Sequence, residues 1–189
     1  MYNKRIGVDL DEVVFNFIDP MLETFNINEN TNYKRDDIIE YSFERSGIFG
    51  AGTNKHWLEK LRHYYGFENL PLMPDAKLLG HLWIGNEIIF VTSRDPKDMP
   101  ASFNALKKNN LLFGPIVYCT DTLTKLDLVK QLGIQIMIDD NPAHLTPITM
   151  ESNCMTILFS NIEHSIRECK WNYHARNWEK IVSIVNNLS

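Results

Sequence analysis

Ile6-Gly7-Val8-Asp9-Leu10-Asp11 is a short apolar run that ends in two acids separated by one residue. A second run, Ile134-Gln135-Ile136-Met137-Ile138, ends in Asp139-Asp140. Both runs have the length and β-branched content of buried strands, so two strand ends each deliver a pair of carboxylates. In an open α/β sheet ligands sit beyond the carboxyl ends of the strands, and four acids gathered there repel one another strongly unless a cation lies among them. The pattern predicts a hard divalent ion, Mg²⁺, and phosphate chemistry.

Outward from these runs the chain alternates strands with helices. Glu87 to Val91 reads as a second strand ending at Thr92-Ser93-Arg94, Ile116 to Cys119 as a short third, and Cys154 to Phe159 as a fifth. Helical spacing covers Asp75 to Trp83, Ser102 to Asn110, Lys125 to Leu132 and Trp178 to Leu188, and Gly133 suits the left-handed cap of the third of these. Val13, Val14, Phe15 and Phe17 are expected to carry the chain from the first acids, which sit on a strand-to-helix turn, into an apolar helix ending near Asn26 to Asn30. This alternation predicts an α/β protein, a doubly wound, Rossmann-like parallel sheet with helices on both faces.

Residues 17–73 differ in character: polar, aromatic, without a convincing strand, and closed by Pro71 and Pro74. They are expected to form a small helical cap inserted after the first strand, leaving 1–16 and 74–189 as the catalytic core. Rings are concentrated here and should mostly pack a small cap interior. Phe17, Tyr64, Tyr65 and Phe67 are the candidates for stacking on a base. The glycine-rich stretch Gly47 to Gly52 has the wrong spacing for a dinucleotide fingerprint and reads as a cap loop.

At 189 residues and 44% hydrophobic the chain can bury one full core plus a modest insertion. A formal charge of −5 argues against an extended nucleic-acid surface, which draws its affinity from Lys and Arg. Cys119, Cys154 and Cys169 form no C-x-x-C pair, so neither a disulfide framework nor a thiolate zinc site is indicated and a reducing, cytoplasmic setting is expected. The six histidines lack i, i+4 pairing, and no window suits a signal peptide or a membrane span.

Phosphoryl transfer needs a nucleophile, a proton donor for the leaving oxygen, cations for the equatorial oxygens and a rigid frame. Asp9 is the candidate nucleophile, since a carboxylate can take the phosphoryl group and split one hard step into two. Asp11 points to the same side of an extended backbone and is the candidate acid and base. Asp140 would complete the metal site, with Asp139 ligating a water or orienting its neighbours. Thr92 and Ser93 offer donors for phosphate oxygens. Thr124-Lys125-Leu126-Asp127 resembles a capping box, which puts Lys125 in a first helical turn where the dipole disfavours a cation unless acids or a phosphate compensate. Lys130, in the same helix, is the alternative.

The order D-x-D after the first strand, [ST] after the second, a lysine opening a later helix and D-D after the next strand resembles the haloacid dehalogenase (HAD) superfamily of phosphatases. The resemblance covers nearly the whole chain. It implies that Asp9 is the nucleophile and a Mg²⁺ ligand, that Asp11 is the acid/base whose carbonyl also binds metal, that Thr92 and Lys125 hold the phosphoryl group, and that Asp140 ligates Mg²⁺. Within the superfamily, the small aromatic cap, Phe17, Thr92-Ser93, Asp139-Asp140-x-Pro142 and the late Trp178 are similar to the 5'(3')-deoxyribonucleotidases. That implies a nucleoside monophosphate substrate with Phe17 contacting it, and leaves room for a homodimer. Asn141 stands where those enzymes commonly have Arg, and Glu12 where they often have Gly.

Competing readings are a phosphatase of sugar phosphates or of polynucleotide 3' ends, a non-catalytic phosphate-binding protein, and a receiver-like signalling domain. Receivers resemble a chain with its acidic pair early; here the pair comes late.

Overall fold

The computed structural model describes residues 4–39, 43–160 and 169–188. Tyr41, one of the rings in the insertion, lies outside the described residues. Six parallel strands form one sheet: β1 (Arg5–Val8), β2 (Glu87–Thr92), β3 (Ile116–Tyr118), β4 (Ile136–Asp139), β5 (Met155–Phe159) and β6 (Tyr173–Ala175), in the order β3-β2-β1-β4-β5-β6. The winding direction reverses between β1 and β4. Register pairs Val8 with both Phe90 and Ile138, so the residues after Val8 and after Ile138 emerge side by side at that reversal.

Alternation along the strands divides the interior in two. Ile6, Val8, Ile88, Phe90, Ile136, Ile138 and Ile157 face α3 (Leu79–Trp83), α4 (Met99–Lys108) and α7 (Trp178–Asn187). Ile89, Val91, Met137 and Leu158 face α5 (Lys125–Leu132) and α6 (Pro142–Glu151). The doubly wound sheet expected from the sequence is therefore present. At Gly7 the strands approach so closely that a Cβ would stand 2.7 Å from Met137 Sδ and 3.1 Å from Ile134 Cγ2. Only glycine fits without displacing them.

Two elements were not legible in the sequence. β6 is three residues of an edge strand with no apolar run, held by register against Ile157 to Phe159. α6 contains Pro147 in its interior, which removes a backbone donor and disguises the helix.

The expected strand-to-helix turn is a closed loop of its own. The chain does not pass straight from Asp11 into a helix: Val14 and Phe15 both donate their N–H to Leu10 O (2.9 and 2.8 Å), and Glu12 N–H donates to Phe15 O (2.7 Å), making a tight loop. Helix α1 (Ile18–Glu29) begins only afterwards. Apolar residues alone do not distinguish a buried loop from a helical turn, and here Val13, Val14 and Phe15 are fully buried in the loop.

The 17–73 segment contains α1, a short turn at Arg35–Asp37, α2 (Asn54–Tyr64) and a turn at Phe67–Asn69. It leaves and rejoins the core at one place, where Asn16 N–H donates to Pro71 O and Met73 N–H to Val14 O. Its own interior is aromatic: Phe25 meets Phe49 and Trp57 with ring centroids 5.0 and 4.7 Å apart.

Candidate active site

The sheet reversal brings Asp9 beside Asp139 and Asp140. Asp9 extends β1, with its N–H bound to Ile138 O at 3.0 Å, and Asp139 ends β4. Carboxylate oxygens of Asp9, Asp139 and Asp140 all lie within 4.8 Å of one another. At that separation two unit charges repel by about 3.5 kcal/mol even at an effective dielectric constant of about 20.

Lys125 answers part of that charge. Thr124 caps α5 in the expected capping box, its hydroxyl accepting from Asp127 N–H while Asp127 accepts from Thr124 N–H. The first helical turn then carries Lys125 into the acids, where Nζ donates to Asp9 Oδ1 at 2.7 Å and to Asp139 Oδ2 at 2.6 Å. These two acids offset the dipole cost of a cation at this position. Lys130 is on the exposed side of the same helix, 3.9 Å from Glu151, and takes no part.

The charges shift the acids in opposite directions. Burial pushes the Asp9 carboxyl up, against the pull of Lys125, to about 6. Burial would also raise Asp139, but the Lys125 ammonium and His144 bring it down to about 2. Asp140 rises well above the usual carboxylate range through burial and then through its neighbours Asp139, Asp9 and Glu12. Three carboxylates thus share one ammonium, and Asp140 is the least compensated. An all-oxygen set of this kind is what a hard divalent cation requires, so the residues fit Mg²⁺.

Asp11 stands apart from that trio. Its two oxygens are taken by the guanidinium of Arg94, Oδ1 from NH2 at 2.7 Å and Oδ2 from Nε at 2.9 Å. The Asp11 carboxylate is therefore not among the clustered metal-binding carboxylates; what the resemblance implies for it as a ligand concerns its main-chain carbonyl. Arg94 closes the Thr92-Ser93-Arg94 run, and nothing adjacent in the sequence marks it as a partner of an acid. Its partner lies 83 positions away and only the fold brings the two together.

Thr92 is buried at the end of β2, and its hydroxyl accepts from Arg94 N–H at 3.2 Å. It does not cap the following helical turn, which Asp95 caps by accepting from Lys97 N–H. Ser93 is exposed beside it. Glu12 has a φ of +58°, the left-handed region that favours glycine. Here its carboxylate compensates, accepting from Phe17 and Ile18 N–H at the start of α1 (both 2.7 Å) and pairing with Arg35 at 2.6 Å. Asn141 caps α6 by accepting from Ala143 N–H.

Among the rings considered for base stacking, Phe67 is buried, with the guanidinium carbons of Arg94 and Arg62 4.6 and 5.5 Å from its centroid. It is not available to a ligand. Phe17 is half-buried and lies parallel to Phe67 at 6.5 Å. Tyr64 is exposed, and Tyr65 donates its hydroxyl to Glu23. Trp178 is fully buried and donates Nε1–H to Val13 O at 3.0 Å, so it supports the acid-bearing loop and touches no open surface.

The doubly wound fold is shared with HAD-type hydrolases of known structure. Similar solved structures include a haloacid dehalogenase-like family hydrolase from Streptococcus pneumoniae (TM-score 0.69, 14% identity, 96% of this chain and 98% of that one). A HAD-hydrolase from Bacillus subtilis, described as bound to magnesium, matches at TM-score 0.69 and 15% identity over 98% of this chain and 100% of its own. A Clostridium acetobutylicum protein described as "a predicted phosphatase" matches at TM-score 0.70 and 17% identity over 99% of both chains. No individually curated protein matches the chain. The chain belongs to the family described as "5' nucleotidase, deoxy (Pyrimidine), cytosolic type C protein", whose pattern matches residues 3–188, and it is a phosphomonoesterase of the HAD superfamily.

Proposed function

We propose that the protein is a Mg²⁺-dependent nucleotidase that hydrolyses nucleoside monophosphates, preferring deoxyribonucleotides, through a phosphoaspartate on Asp9. The observation that carries this reading is the meeting of Asp9, Asp139 and Asp140 around the single ammonium of Lys125, at the sheet reversal of a nucleotidase-family chain. Asp9, Asp140 and the main-chain carbonyl of Asp11 would hold the ion, with Asp139 holding Lys125 and orienting its neighbours. When bound, the ion neutralises charge on the phosphoryl oxygens.

In the first step an oxygen of Asp9 bonds to phosphorus as the ester P–O bond breaks, and Asp11 gives its proton to the departing oxygen. Asp11, now a carboxylate, then takes a proton from a water whose oxygen attacks phosphorus, and the bond to Asp9 breaks to release inorganic phosphate. Thr92, Ser93 and Lys125 hold the phosphoryl oxygens throughout, and burial of Asp9 and Lys125 keeps that contact in a low-dielectric setting. The 17–73 segment serves as a cap over the site that excludes bulk water and selects the leaving group, with Phe17 stacking on the base. Free Cys119, Cys154 and Cys169 agree with a cytoplasmic setting, and among the described residues no helix is long and apolar enough to cross a membrane.

The test is phosphate release from nucleoside 5'- and 3'-monophosphates, ribo and deoxy, against sugar phosphates, compared as kcat/KM with Mg²⁺ and with EDTA. Selective turnover of deoxynucleotides that EDTA abolishes supports the reading. Preference for sugar phosphates removes the nucleotide assignment, and no release from any ester removes the reading entirely.

A further inference from the structure

Outside the acid cluster, a second buried electrostatic unit joins the 17–73 segment to Asp11. Arg94 is its centre, with a side chain only 1% exposed. Besides the two bonds to Asp11, its NH1 donates to Ser102 Oγ at 3.0 Å, and Ser102 in turn donates to Asp98 O at 3.0 Å. The carboxylate of Asp98 receives a second fork from Arg62 of α2, Nε to Oδ1 at 2.9 Å and NH2 to Oδ2 at 2.8 Å. Both guanidiniums lie over Phe67, which also lies parallel to Phe17.

We infer that Arg94 is a positioning residue for Asp11, and that the inserted segment, through Phe67 and the Arg62–Asp98 pair, holds Arg94 in place. This rests on the reading of Asp11 as the acid and base. A two-pronged guanidinium fixes the plane of a carboxylate, where a lysine would fix only a distance. The fork occupies one lone pair on each Asp11 oxygen, and the remaining lone pair on each is where a proton is exchanged with the leaving oxygen or with water. Three N–H groups of Arg94 are spent on Asp11 and Ser102, so the side chain is committed to orientation. Because Phe67 forms the platform beneath it, displacement of the 62–69 stretch removes support from the group that sets Asp11.

The experiment uses the full-length protein with Mg²⁺, Arg94→Gln and Phe67→Leu variants, and two substrates. A nucleoside monophosphate needs its leaving oxygen protonated; p-nitrophenolate leaves without a proton. With the nucleotide, Arg94→Gln is expected to lower kcat by about 100-fold, the scale of a displaced reacting group, with KM within about threefold, and Phe67→Leu to lower it about tenfold. With p-nitrophenyl phosphate both variants should release about one equivalent of nitrophenolate in a burst, then turn over slowly, because the first step no longer needs Asp11 and the second still does.

A merely structural role would reduce both substrates equally and produce no burst, which overturns the inference. A raised KM with kcat retained overturns it as well, since Arg94 would then bind substrate directly. Should Arg94→Gln fail to fold, Phe67→Leu decides on the same two readouts, and unchanged kinetics there reject the inference. Inactive wild-type protein, or normal turnover by Asp11→Asn, defeats the underlying phosphatase reading; active wild-type with a defective Asp11→Asn and unaffected Arg94 and Phe67 variants defeats this inference alone.

Discussion

Trp178, at the start of the last helix, donates its indole N–H to the carbonyl of Val13 at 3.0 Å across 165 positions of sequence. Val13 lies in the loop that carries Asp11 and Glu12, so the last helix holds this acid-bearing loop in place. Trp178→Phe keeps most of the ring volume but leaves a buried carbonyl unpaired, at a cost of about 1–3 kcal/mol. Urea denaturation should detect that loss, and kcat should fall with little change in KM. Unchanged stability would mean that the loop does not depend on this bond.

Asp9 and Asp11 separate by kinetics. Asp9→Asn is expected to abolish both turnover and phosphoenzyme formation, while Asp11→Asn slows both chemical steps and leaves Mg²⁺ binding largely intact. Acid-quench trapping of labelled phosphoenzyme and isothermal titration with Mg²⁺ check the two halves. Normal turnover by Asp9→Asn would remove the nucleophile.

Metal-free stability should depend on pH through the same acids. A carboxyl raised from 3.8 to about 6, as in Asp9, holds more protons folded than unfolded, so its contribution is lost as pH rises through that window. The loss is on the order of 3 kcal/mol, from about 1.4 kcal/mol for each tenfold change in proton affinity. Asp139, lowered to about 2, works in the opposite sense but at lower pH: its contribution is present above 3.8 and disappears toward 2. In EDTA, Asp9→Asn should therefore gain stability relative to wild type between pH 4 and 7, and saturating Mg²⁺ should erase the gain by binding wild type more tightly. Parallel stability curves in EDTA would contradict the charge balance described here.

Gly7 sets how closely β1 lies to β4. Gly7→Ala puts a methyl against Met137 Sδ and Ile134, with an expected loss of about 1–3 kcal/mol from overpacking. Met137→Ala vacates the space, so the double variant should be more stable than the sum of the two single losses. Strict additivity in thermal melts would show that the contact is not the cause.

Much of the site was legible because its signals are local. An apolar run followed at once by two acids marks a strand end twice over, and Thr124 with Asp127 announces both the helix start and the turn on which Lys125 sits. Lys125 is separable from Lys130 because it lies nearer the strand ends. What escaped depends on partners distant in sequence. Arg94 is visible as an arginine, but nothing nearby says that it faces Asp11. That Asp139 bonds the Lys125 ammonium from a fully buried position while Asp140 keeps slight exposure is likewise set by the fold. β6 has no apolar signature, α6 hides behind Pro147, and the loop from Leu10 to Phe15 has the composition of a helix. Phe67 was a stacking candidate until packing put two guanidiniums over it.

The hydrogen bonds from Asn16 to Pro71 and from Met73 to Val14 set the two ends of the insertion beside each other. A segment attached at such neighbouring points carries a chain-closure penalty that grows only slowly with its length, by about 0.6 kcal/mol for each doubling. The sheet and its acids can therefore carry a longer, shorter or wholly different insertion without being rebuilt, and under the function proposed above choice of substrate would be exchangeable by grafting that segment alone.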